Sequence, residues 1–127
     1  MYIEAEKFEN LKLFANKLSW LYYSNVYLIG SSLKTQNFND VDVIVLMEDE
    51  DFERKIGNVD EWHNEITGKK KEKVVTNIWA NACYKQWVMG CKMTQLKLDF
   101  KILPKKYCKL FSPYKRLDNF EKKLDEY

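Results

Sequence analysis

The sequence predicts a small α/β (α+β) protein, with a mixed β-sheet of three or more strands and helices packed on one face. Three observations point there. Residues 4–24 repeat apolar side chains at helical spacing. Asp40–Met47 (DVDVIVLM) is apolar and β-branched, as a central strand is. Gln95–Leu103 (QLKLDFKIL) alternates apolar and polar residues, as a half-buried strand does.

Phe8, Leu11, Ala15, Leu18 and Tyr22 form the stripe of the first helix, widened by Phe14 and Leu21, and Asn25 is its expected stop. Val26–Ile29 (VYLI) is a short apolar run, followed by the turn-rich GSSLKTQNFND. That link is too short for a crossover helix, so the strands at 26–29 and 40–47 are expected to pair antiparallel. A helix is expected over 49–66, with acidic residues in its first turn and Phe52, Ile56, Val59, Trp62 and Ile66 on its apolar face. Gly57 bends it and Gly68 suits its end. A further helix is expected over about 72–90, closing at Gly90. In the third strand Leu96, Leu98, Phe100 and Ile102 face one way, and Lys97, Asp99 and Lys101 the other. Pro104 ends it, and helix is expected again after Ser112.

The 127 residues, 46% hydrophobic and 15% aromatic, suit one domain with one core over 1–127. No apolar run approaches the roughly 20 residues of a membrane span, and the acidic N-terminus does not read as a signal peptide. A cytoplasmic location with no membrane partner is the expectation. Cys83, Cys91 and Cys108 match no zinc spacing and read as buried thiols. The net charge of +2 hides a polarity: Asn39–Glu65 holds ten acidic and two basic residues, Ile66–Arg116 two acidic and thirteen basic. One segment suits cations, the other an anion. Two opposite solvated faces would give the same pattern.

The chemistry concentrates on DVD. Residues i and i+2 of a strand share a face, so Asp40 and Asp42 project together while Val41, Val43 and Val45 face the core. Carboxylates about 7 Å apart along one strand repel unless a cation lies between them, and such hard oxygen donors suit Mg²⁺ or Mn²⁺. If the third strand lies beside this one, Asp99 joins them, and three acids can serve in-line phosphoryl or nucleotidyl displacement. Gly30 and Ser31 directly follow an apolar strand. Glycine lets the backbone approach a phosphate, the hydroxyls of Ser31 and Ser32 can donate to it, and Lys34 adds charge.

An apolar strand ending in Gly-Ser, a loop, D-h-D-h (h, apolar) and a later strand acid stand here as LIGSSLKTQNFNDVDVIV and LKLDF. This order resembles the minimal nucleotidyltransferases of the DNA polymerase β-like superfamily, over residues 26–103. The resemblance implies the nucleotidyltransferase fold and transfer of a nucleoside monophosphate from a nucleoside triphosphate (NTP), such as ATP, to a hydroxyl or phosphate acceptor. It implies triphosphate binding at Gly30, Ser31, Ser32 and Lys34, with Asp40, Asp42 and Asp99 as the metal and catalytic acids. The Gly-Ser loop is slightly shorter than usual, and Lys34 stands near where minimal members often carry arginine.

A catalytically inactive module of the same fold, binding a partner protein or RNA, is the alternative. The acceptor is left open among a small molecule, an RNA end and a partner protein. Residues 104–127 form an extension, basic then acidic. Within it, residues 104–116 hold five basic residues with Tyr107, Phe111 and Tyr114 between them, the best nucleic-acid candidate in the chain. His63 and the run Lys69–Lys71 read as surface features.

Overall fold

In a computed structural model of the chain, which describes residues 1–121, a four-stranded mixed sheet carries its helices mainly behind one face. Helix α1 (Ala5–Tyr22) buries Leu11, Phe14, Ala15, Leu18 and Tyr22. It ends at Tyr23, whose left-handed backbone (φ 54°) turns its N–H onto Ser19 O. The chain then enters β1 (Asn25–Ile29) directly, so Asn25 begins a strand rather than closing the helix.

Strand β1 pairs antiparallel with β2 (Val41–Met47), as the short link requires, and Ile29 lies opposite Asp42. Strand β3 (Leu98–Pro104) runs parallel to β2 on its other side, with Asp99 opposite Asp42. The helices between β2 and β3 provide the crossover that parallel pairing needs. Strand β4 (Tyr114–Arg116) pairs antiparallel with the free edge of β1, giving the order β3-β2-β1-β4. Helix was expected after Ser112. The edge of β1 offered unpaired backbone groups instead, and pairing them outweighs local propensity. Residues 122–127, part of that expectation, lie outside the described residues.

Period-two alternation sorts the sheet into two faces. Val26, Leu28, Val41, Val43, Val45, Phe100 and Ile102 are buried against the helices, and Phe14 meets Phe100 at 6.1 Å between ring centroids. Burying each such side chain contributes about 1.5–3 kcal/mol.

The expected helix over 49–66 is two helices, α2 (Asp49–Lys55) and α3 (Val59–Ile66). Gly57 breaks the run, and Asn58 restarts it by accepting the Glu61 N–H at 2.9 Å. Of the expected apolar face, Phe52, Ile56, Val59 and Trp62 are buried and Ile66 is exposed. Helix α4 (Val74–Thr94) runs past Gly90 and closes at Gln95, whose backbone is left-handed. Gly90 lies in its interior because the backbone presses on its neighbours there. A Cβ on Gly90 would stand 2.5 Å from the Phe14 ring and 2.7 Å from Leu98. Glu65, almost fully buried, caps the start of α4 by accepting the N–H groups of Val75 and Thr76.

Candidate functional site

Helices cover one face of the sheet, and the opposite face carries the candidate site. On it β2 presents Asp42 and Ile44, β3 presents Asp99, Lys101 and Leu103, and β1 presents Ile29. Residues opposite each other on adjacent strands share a face, about 4.8 Å apart. The register alone therefore sets Asp42 beside Asp99. Asp42 is half-buried and Asp99 exposed.

The Asp42 carboxyl is held above its ordinary 3.8. Burial is the largest cause, followed by the negative charges of Asp99 and then Asp40, and by a hydrogen bond with Asp99; Lys101 partly offsets these. Two acids set side by side on one face repel when both are ionised, and a cation between them would relieve that repulsion.

Asp40 has a partner of its own. It precedes β2 rather than opening it, and the pairing of Val41 with Leu98 brings Lys97 beside it. Lys97 Nζ lies 3.4 Å from Asp40 Oδ1, an ion pair without hydrogen-bond geometry, and that buried oxygen has no hydrogen-bond partner. Asp40 is still close enough for its charge to act on Asp42, but Lys97 engages it. Among the described residues no three His, Cys, Asp or Glu side chains are arranged to enclose a metal ion. Asp42 and Asp99 do fit a cation as a pair: they are hard oxygen donors set side by side by the strand register.

Gly30 closes one side of the pair. Its backbone (φ 86°, ψ −160°) is closed to most side chains. A Cβ there would stand 2.1 Å from Asp42 Oδ2, so glycine is what lets the loop lie against the acid. Ser31–Leu33 then make a single 3₁₀ turn. Ser31 and Lys34 are exposed. Ser32 is fully buried, its hydroxyl without a partner and its carbonyl accepting the Tyr2 N–H at 3.0 Å. Of the expected loop donors, Ser31 and Lys34 can meet a ligand from solvent as the loop stands.

Most of the charge in 104–116 is committed inside the chain. Lys105 pairs with Glu48, and Lys106 with Asp60 at 2.8 Å. Tyr107 stacks on His63 with ring centroids 3.7 Å apart. Arg116 pairs with Asp118 at 3.3 Å, and Lys115 lies over the Phe8 ring. These contacts strap the segment to the start of α2, to α3 and to the sheet edge.

Sequence reading did not find the Asp118 clamp beside this strap. Asp118 accepts the Val26 N–H at 2.8 Å, the Phe120 N–H at 3.0 Å and the Asn25 side-chain amide at 3.1 Å. Burial alone would raise its carboxyl, but Arg116 and these donors hold it below the ordinary value. Its partners on β1, Asn25 and Val26, lie about ninety residues away in the chain, so no local pattern marks that part of the clamp.

No helix is long and apolar enough to cross a membrane among the described residues. Comparison with protein-family models, with curated proteins and with solved structures gave no match, so the functional reading stands on the site's own residues and geometry.

Proposed function

We propose that the chain is a metal-dependent nucleotidyltransferase. It would move a nucleoside monophosphate from an NTP to a hydroxyl or phosphate acceptor, with release of pyrophosphate. One observation supports the reading: Asp42 and Asp99 stand opposite each other on adjacent parallel strands, on the open face of the sheet, and Gly30 lies against Asp42.

Each residue has a role in that reaction. Gly30 lets the loop lie against Asp42, and the exposed Ser31 and Lys34, which follow it, orient the triphosphate tail. Mg²⁺ or Mn²⁺ held by Asp42 and Asp99 would neutralise the phosphate oxygens and the charge that develops on them. Asp99, the more exposed acid, takes the proton of an attacking hydroxyl as its oxygen bonds to the α-phosphorus and the bond to pyrophosphate breaks. Asp40 adds negative charge near the pair, and Lys97 limits it.

The test incubates the chain with each of the four NTPs, Mg²⁺ or Mn²⁺ and a pool of candidate acceptors, and reads pyrophosphate release. Asp42→Asn and Asp99→Asn should each lower release by about 10²-fold or more. Absence of release with every NTP, together with absence of Mg²⁺-NTP binding by calorimetry, rejects the proposal.

The second reading is the non-catalytic module of the same fold. The engagement of Asp40 by Lys97 favours it, since it leaves two acids together rather than three. Binding of Mg²⁺-NTP without any release is the result that selects it.

A further inference from the structure

Beside the acid pair the open sheet face continues into a cleft of about 290 Å³. Ile29, Ile44 and Leu103 floor it, each on the same face as Asp42 and Asp99 by strand register. Ile29 is directly opposite Asp42, and Ile44 is two residues further along β2. The segment between β3 and β4 forms the other wall, through Leu110 and Phe111. Gly30 lines the cleft and also lies against Asp42, so the two spaces adjoin there. Lys34 and Lys109 stand at its edge.

Resting on the nucleotidyltransferase reading, we propose that this cleft holds the base of the nucleoside triphosphate, stacked on Phe111, with the phosphates crossing Gly30 toward Asp42 and Asp99. Three features select that occupant. The apolar floor suits a ring system, and the volume lies at the small end of ligand pockets. Phe111 is 78% exposed, which for a phenylalanine means a ring face open to solvent on one side of an apolar slot. The lysines at the edge complement an anion, and the acid pair beyond needs a cation, so the ligand combines an apolar ring with a multiply charged, cation-binding tail. A nucleotide has that composition. The contacts come from a floor and a stacking ring rather than from a fixed set of hydrogen bonds, so discrimination among bases should be weak.

The exposure of Phe111 makes the test clean, because Phe111→Ala removes the stacking face without opening the core. Calorimetry compares a non-hydrolysable NTP with inorganic tripolyphosphate, both with Mg²⁺, on the wild type and on Phe111→Ala. The wild type should bind the nucleotide at least about tenfold tighter than tripolyphosphate, and Phe111→Ala should lose about tenfold for the nucleotide and nothing for tripolyphosphate. Equal wild-type affinity for the two ligands, or a nucleotide affinity unchanged within about twofold in Phe111→Ala, overturns the base site and leaves the reaction class standing. Absence of wild-type binding to either ligand overturns both.

Discussion

Replacing Asp42 by Asn should stabilise the metal-free protein. Asp42 and Asp99 stand opposite each other on adjacent strands, about 4.8 Å apart. Two full charges at that separation repel by about 0.9 kcal/mol at the permittivity of water and about 3.5 kcal/mol at an effective value near 20. The face is open to solvent, which puts the repulsion near the lower figure, about 1 kcal/mol. Asparagine removes the charge yet keeps a donor for Asp99, so the hydrogen bond survives while the repulsion does not. In a domain of this size that gain raises Tm by about 4 °C. It should also depend on pH. Well below the ordinary 3.8, Asp42 is protonated in both folded and unfolded states and costs the fold nothing. As pH rises through the raised folded value the unfolded chain ionises first, so the wild type loses stability and the advantage of Asp42→Asn grows to its full size. Scanning calorimetry in EDTA at pH 4 and pH 7.5, then with excess Mg²⁺ at pH 7.5, measures each part. Mg²⁺ should raise Tm of the wild type and leave the variant unmoved. A variant that melts lower than the wild type in EDTA at pH 7.5, with no wild-type response to Mg²⁺, would refute the reasoning: the acids would then be structural partners, not a strained pair.

Three other substitutions probe the frame of the site. Gly30→Ala forces a Cβ onto Asp42 Oδ2 at a backbone angle that disfavours side chains, and should cost about 1–3 kcal/mol in chemical denaturation. At Gly90 two effects oppose: alanine gains about 1 kcal/mol of helix propensity, while the contact with Phe14 and Leu98 costs about 1–3 kcal/mol, so Gly90→Ala should be net destabilising by thermal melting. Asp118→Ala should cost about 2–4 kcal/mol at neutral pH by leaving the Val26 N–H and Arg116 without their acceptor. The Asp118 carboxyl is lowered in the fold, so its contribution is complete above the ordinary 3.8 and is lost as pH falls through the lowered value; urea titrations at pH 7 and pH 2.5 should show the gap between wild type and variant narrowing in acid.

Local pattern determined much of this protein. The alternation of QLKLDFKIL settles which residues of β3 meet the helices, because a strand has only two faces and one must be apolar. The short link after Ile29 leaves β1 and β2 one way to pair, and the same count of residues places Asp42 on the open face. Pattern also marked Gly30, though its reason is tertiary: the side chain it must avoid belongs to the next strand. What depends on two segments meeting was decided only in three dimensions. Asp99 became the partner of Asp42 because β3 lies parallel to β2 in one particular register, and a slip of one residue would have turned it into the core. Asp40, identical to Asp42 in the sequence motif, was drawn to Lys97 by the same register. The basic run after Pro104 reads in sequence as free charge, but acids on α2 and α3 neutralise Lys105 and Lys106. Periodicity reports the direction of a side chain relative to its own backbone; which opposite charge waits at the other end is set by packing that no single segment encodes.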